Sequence, residues 1–86
     1  MNYENYNIDN MPTFAWIVAG YPYLNGTKPE SLGGGTQENL MVFCYWNDNG
    51  SGYNEGYQEA INFNKTGQKK WKRMRYNGSW SAWQQI

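Results

Sequence analysis

The dipeptide Asn77-Gly78 constrains the fold of this chain more than any other feature of its sequence. Both residue types accept the positive φ angles of a type I′ turn, which matches the twist of two antiparallel strands. We interpret the segment before it, 71–76, as a strand. We therefore predict a C-terminal hairpin in which Tyr76 pairs with Ser79, Arg75 with Trp80, Arg73 with Ala82, and Trp71 with Gln84.

The two-residue period of a strand divides the side chains of this hairpin between two faces. We expect one face to carry Trp71, Arg73, Arg75, Trp80, Ala82 and Ile86, and the other to carry Lys72, Met74, Tyr76, Ser81 and Trp83. Arg75 lies across from Trp80, where guanidinium–indole stacking is worth ~0.5–2 kcal/mol. Because the basic residues are split between faces, a solvated or stacked hairpin is favoured over a groove that follows phosphates.

Three segments upstream are predicted to be strands. Phe14–Ala19 and Leu40–Trp46 are short and rich in aromatic and β-branched residues, and the second is apolar on both faces, so we expect both to be covered. Residues 57–63 alternate, with Tyr57, Glu59, Ile61 and Phe63 on one side and Gln58, Ala60 and Asn62 on the other. A short helix beginning near Tyr53 is the alternative for this segment.

The linking segments complete a mainly β fold. Residues 20–37 contain five glycines and two prolines, and we predict a long loop that binds a ligand or packs against a neighbour. The chain is interpreted as one small antiparallel-sheet domain, 1–86, in which 1–10 is a tail, a linker or a short turn. Because a core of this size is marginal, association with other copies would add burial.

The residue types present argue against catalysis. The chain has no histidine and a single cysteine, Cys44, so the usual general base and metal ligands are missing. Glu55 and Glu59 are read as solvated charges, and Cys44 as a small buried residue. We predict no enzymatic activity, no cofactor and no metal. No apolar run approaches the ~20 residues of a membrane span, and the polar, acidic N-terminus is not a signal peptide, so we expect synthesis in a cytoplasm without membrane insertion.

Charge is segregated although the chain is neutral. Residues 1–64 hold seven acidic residues and Lys28, a net charge of −6, and residues 65–86 hold six basic residues, a net charge of +6. The two parts are expected to attract each other within a chain or between copies. The basic segment also leaves open a small nucleic-acid-binding protein, which would use Lys69, Lys70, Lys72, Arg73 and Arg75 with Trp71.

The aromatic residues make up 19% of the chain and fall into two groups. We predict that the members in strand runs form the core, namely Phe14, Trp16, Phe43, Trp46 and Phe63. Six others lie near turns among Asn, Gln and Ser, namely Trp71, Trp80, Trp83, Tyr53, Tyr57 and Tyr76. Such rings suit the faces of sugars or stacked bases, although they could also cap a core too small to enclose them.

The C-terminal pattern resembles the knob domains of R-type pyocin and bacteriophage tail fibres. The similar residues there are Thr66-Gly67, Trp71, Arg73, Tyr76-Asn77-Gly78, Trp80-Ser81 and Trp83. Similarity extends upstream through Tyr57-Gln58-Glu59 and Leu40–Phe43. It is weak in the first forty residues, where Asn7–Asn10, Pro12 and Phe14–Ile17 are similar but Thr13 stands where the family has glycine. The resemblance is specific in the last thirty residues.

This resemblance implies a homotrimeric knob in a virion tail fibre, joined to the rest of the fibre. Its expected ligand is a host polysaccharide or lipopolysaccharide, and nucleic acid is not the expected partner. The residues we expect to contact the glycan are Trp80, Trp83, Tyr76, Tyr53, Asn77 and Arg75.

Overall fold

The structure, a computed structural model, describes residues 7–11, 14–48, 54–64 and 67–86, apart from the side chains at 46–48 and 54. These residues form an antiparallel sheet in the order β1-β2-β3-β4-β5, with β6 also paired to β4. The strands are β1 (Trp16–Gly20), β2 (Asn39–Asp48), β3 (Asn54–Asn64), β4 (Gly67–Tyr76), β5 (Ser79–Trp80) and β6 (Gln84–Gln85). The predicted mainly β, antiparallel fold is confirmed.

The Asn-Gly turn is present at the predicted position. Asn77 and Gly78 have φ angles of 51° and 81°, and Tyr76 pairs with Ser79 and Arg75 with Trp80. The register then changes by one residue, because residues 81–83 leave the strand and Trp71 pairs with Gln85 rather than Gln84. The pairings predicted beyond Trp80, and the face predicted for Trp83, are therefore wrong.

The segment 54–64 is a strand, so the helix considered near Tyr53 is wrong for the residues described. Its alternation is confirmed, but the buried side is the more polar one: Gln58, Ala60 and Asn62 are fully buried. This side faces the core with Leu40 and Val42 of β2. We call this side of the sheet the covered face.

The covered face is enclosed by the N-terminal segment and the long loop. Ile8, Met11 and Leu24 from these segments pack on the sheet residues Ile17, Ala19, Leu40, Val42, Cys44 and Ala60. The loop contains two single-turn 3-10 helices, Tyr21–Tyr23 and Gly35–Gln37. It therefore packs on its own sheet, and Cys44 is buried there as predicted.

The opposite side of the sheet, the open face, carries the aromatic residues expected in the core. Trp16 is 65% exposed, Phe43 41% and Phe63 37%, and Phe14 before β1 is 68% exposed. The side chain of Trp46 lies outside those described. The core assignment is wrong because strand alternation sends these rings away from the loops. Within the described residues of one chain these rings stay exposed, so the expectation that both faces of β2 are covered stays a prediction.

Candidate ligand-binding cleft

Arg73 of β4 is the centre of a buried polar cluster on the covered face. It is 2% exposed, and its Nε donates to Gln58 Oε1 at 2.7 Å and its Nη2 to Asp9 Oδ1 at 2.8 Å. Burial lowers the pKa of Arg73, and the carboxylate of Asp9 acts in the opposite direction. The guanidinium joins the hairpin to the N-terminal turn, which is the single-turn 3-10 helix Ile8–Asn10.

Two indole rings enclose this guanidinium. The Cζ atom of Arg73 lies 4.5 Å from the ring centres of both Trp80 and Trp83. Each indole N–H is also used: Trp80 donates to the backbone oxygen of Asp9 at 3.0 Å, and Trp83 to that of Thr27 at 2.7 Å. The one-residue register change after Trp80 allows both rings to reach the same arginine.

Asp9 connects the three segments that meet at this point. Its Oδ1 accepts from Arg73, and its Oδ2 accepts from the backbone N and Oγ1 of Thr27 at 3.0 and 3.2 Å. Asn7 caps the turn that contains Asp9, because its side-chain oxygen accepts from the Asp9 N–H at 2.9 Å. The carboxylate is therefore held in one position.

A cleft of about 360 Å³ opens above this cluster. It is bounded by the N-terminal turn, the loop and the β4–β5 hairpin, and it is lined by Asp9, Asn10, Thr27, Arg73, Arg75, Gly78, Ser79, Trp80 and Ser81. The lining combines hydroxyl, amide, carboxylate and guanidinium groups with one indole. Such a set can bind a polar, neutral or anionic small group through several hydrogen bonds.

The structure separates the six residues predicted to contact a ligand. Trp80 and Arg75 line the cleft, and Trp83 lies against Arg73 beside it. Asn77 is exposed in the turn next to the lining residue Gly78. Tyr76 is 57% exposed, but strand alternation places it on the open face, and Tyr53 lies outside the described residues.

Asp9, Asn10 and Thr27 line the cleft but were absent from the prediction. Asp9 is 64 residues from Arg73 in the chain, so no local spacing pattern links them. The segregation of charge indicated that an acidic residue would meet the basic hairpin, which Arg73–Asp9 confirms. It could not indicate which of the seven acidic residues would do so.

Gly26 is required for the loop to reach this cleft. It has φ +100°, and a Cβ atom there would lie 2.5 Å from Asn7 Oδ1 and 3.1 Å from the backbone N of Asp9. We expect Gly26→Ala to lower the free energy of unfolding by about 2–3 kcal/mol, from backbone strain and steric conflict. Urea denaturation followed by circular dichroism measures this loss.

Gly33→Ala is the matched control for Gly26→Ala. Gly33 also has positive φ, +85°, but a Cβ atom added to it would have no atom of the described residues within 4 Å. It should lose only the strain, about 1 kcal/mol. Equal losses in the two variants would contradict the steric contribution at Gly26.

The basic side chains do not form one surface. Lys69 contacts Glu30 at 3.3 Å, Lys70 contacts Glu59 at 3.7 Å, and Arg73 is buried against Asp9. Strand alternation places Lys70 and Lys72 on the open face, opposite Arg73 and Arg75. This distribution gives little support to a phosphate-binding stripe.

Metal clusters and membrane-spanning helices are both absent from the described residues. These residues contain no group of three or more His, Cys, Asp or Glu side chains arranged to hold a metal ion. They also contain no helix long and apolar enough to cross a membrane.

Comparison with protein-family models, with curated proteins and with solved structures finds no significant match to this chain. The function must therefore be argued from the cleft and the sheet themselves.

Proposed function

We propose that this chain is the receptor-binding knob of a phage or tailocin tail fibre and that its cleft binds a sugar unit of a host polysaccharide or lipopolysaccharide. The cleft carries this proposal, because polar groups from three segments converge beside the indole of Trp80. A sugar presents hydroxyl edges and an apolar C–H face, and these suit a pocket with a few placed polar groups and an aromatic ring.

The polar groups of the cleft are held in place before a ligand arrives. Trp80 is fixed by its hydrogen bond to the Asp9 carbonyl, and Arg75 Nη1 lies 3.4 Å from the same oxygen. Arg75 also stacks on Trp80, with its Cζ atom 5.5 Å from the ring centre. Binding then costs little side-chain ordering, which raises affinity.

A fibre knob of three copies would present three clefts to one cell surface. An open polar cleft of this size binds a single sugar unit weakly. Three linked clefts bind a polysaccharide of repeating units more tightly than one cleft does, by a factor on the order of 10²–10⁴. The resemblance in the hairpin supports a trimeric assembly. A polysaccharide with repeating units can occupy all three clefts at once.

Arg75→Met tests the cleft. We expect at least a tenfold loss of affinity for the bound glycan, because a hydrogen bond from a charged group is worth about 1.5–3 kcal/mol. Methionine keeps an apolar stem against Trp80. Binding is measured by biolayer interferometry on a panel of immobilised bacterial lipopolysaccharides and polysaccharides, after circular dichroism has verified the fold.

Lys72→Met is the control, since it also replaces a cationic side chain by methionine on the same strand, but on the open face. Its glycan affinity should equal that of the unmodified chain. Wild-type protein that binds no glycan of the panel, yet shifts a single-stranded oligonucleotide with strong salt dependence, would replace this proposal with the nucleic-acid alternative.

A further inference from the structure

The open face is a continuous aromatic and apolar surface. Its most exposed members are Trp16, Phe43, Tyr45, Phe63, Met74 and Tyr76, each 36–65% exposed. The register places Trp16 beside Phe43, and Tyr45 beside Tyr57 and then Met74, across neighbouring strands. Exposed apolar surfaces that extend over several strands mark interaction sites.

Three of the polar groups within this surface already have partners. The Tyr57 hydroxyl donates to Glu59 Oε2 at 2.8 Å, and Lys70 lies 3.7 Å from Glu59 Oε1. A shallow depression of about 180 Å³ lies between Met41, Phe43, Glu59 and Ile61. Because the central carboxylate has partners within the chain, covering it would not leave it isolated. Lys72, which lies across from Glu59 on the same face, keeps its ammonium group in solvent at the edge of the covered area.

We infer that the open face packs against further copies of this chain. The inference rests on the proposed function in taking three copies as the expected number. The molecule measures 43 × 29 Å along its two longer axes, so a sheet face can supply the ~800 Å² per partner of a standard protein interface. The chain has a net charge of 0, so copies do not repel one another.

This assembly is compatible with the cleft. The cleft is built on the covered face, around Arg73 and Trp80, whereas Phe43 and Trp16 point to the opposite side of the sheet. Three sheets that turn their open faces inward would leave all three clefts directed outward. The two surfaces can therefore be tested separately.

The test is the mass of the full chain in solution, measured by sedimentation equilibrium. We expect about three times the 10.1 kDa of one chain. Phe43→Lys and Trp16→Lys should each reduce the mass to one chain, because each replaces an apolar ring of the interface with a charge whose desolvation is costly even where Glu59 lies across from it. Both side chains are exposed in the single chain, so circular dichroism should show an unchanged protomer.

Tyr23→Lys is the matched control, since Tyr23 is 45% exposed but lies outside the sheet. This variant should keep the wild-type mass. A two-chain species dissociated by Phe43→Lys would support the open face as the interface and contradict only the number three. A wild-type chain that is monomeric at its highest soluble concentration, or an assembly that both sheet variants leave intact, would overturn the inference.

Glycan binding distinguishes this failure from failure of the proposed function. A monomeric chain that still binds glycan with sensitivity to Arg75→Met would preserve the cleft and reject the interface. An assembly that depends on Phe43 but binds no glycan would preserve the interface and reject the cleft as a glycan-binding site.

Discussion

Replacing Arg73 by methionine is expected to lower the free energy of unfolding by about 3–5 kcal/mol, the usual cost of removing one partner from a buried ion pair. The change leaves Gln58 Oε1 buried without its donor and removes the cation between Trp80 and Trp83. A chain of this length is stable by only about 4–13 kcal/mol in total. The variant should therefore lose a large share of its stability.

Urea denaturation of three variants at strand β4 separates the contributions. Lys72→Met makes a similar change at the neighbouring exposed position and should alter stability by no more than ~0.5 kcal/mol. Arg73→Lys keeps the charge but not the planar set of donors that reaches both Gln58 and Asp9, so its loss should be intermediate. A loss below ~1 kcal/mol in Arg73→Met would show that the cluster does not hold the hairpin to the N-terminal turn.

The turn at Asn77-Gly78 was predictable because it depends on two adjacent residues. Their positive φ angles are a local property, and so are the two pairs that flank the turn. The register beyond Trp80 is not local, because Trp83 is placed by a hydrogen bond to Thr27 and by stacking on Arg73. A sequence pattern for a regular hairpin cannot anticipate a departure that long-range contacts stabilise.

The choice of buried face could not be predicted from hydrophobicity. In β3 the apolar Ile61 and Phe63 lie on the open face, while Gln58 and Asn62 are buried. The buried amides are stabilised by partners distant in sequence: Gln58 Nε2 donates to the Ile8 carbonyl at 2.6 Å, and Asn62 Nδ2 to Glu38 at 2.6 Å. Of the four amide N and O atoms, only Asn62 Oδ1 has no hydrogen-bond partner among the described residues. Because polar groups with partners can be buried at little cost, side-chain polarity alone indicated the wrong face.

The cleft could also be predicted only in part from the sequence. Trp80 and Arg75 were identified because they belong to the hairpin, whereas Asp9 and Thr27 come from the turn and loop that fold over it. Gly26 gives the loop its required conformation, but an isolated glycine in a glycine-rich segment carries no specific signal. The hairpin half of the site was predictable, and the other half depends on tertiary structure.

Replacing Glu38 by glutamine should also be strongly destabilising, by about 2–4 kcal/mol at neutral pH, since hydrogen bonds to a charged group are worth about 1.5–3 kcal/mol. Glu38 is 1% exposed at the end of the long loop. Its carboxylate accepts from the Leu32 N–H, from Ser31 Oγ at 2.7 Å and from Asn62 Nδ2 at 2.6 Å. The amide of glutamine replaces one of these acceptor oxygens with a donor.

The effect of this substitution should depend on pH. Burial raises the pKa of Glu38, but hydrogen bonds from Leu32, Asn62, Ser31 and Gly34 outweigh it and hold the pKa below its ordinary value. A carboxylate with a lowered pKa in the folded state contributes stability above the unfolded pKa of about 4.3. That contribution is lost as the pH falls through the lowered folded pKa, so the difference between wild type and Glu38→Gln should narrow in acid.

The measurement is the free energy of unfolding at several pH values from neutral to strongly acidic, with Glu30→Gln as the control. The Glu30 side chain is 68% exposed and contacts Lys69 at 3.3 Å, so its replacement should change stability by less than ~1 kcal/mol. A Glu38→Gln deficit that stays constant in acid would mean that the loop is held by packing rather than by the charge of Glu38. A deficit that narrows below about pH 4.3 would instead identify this carboxylate as the group that fixes the loop over the covered face.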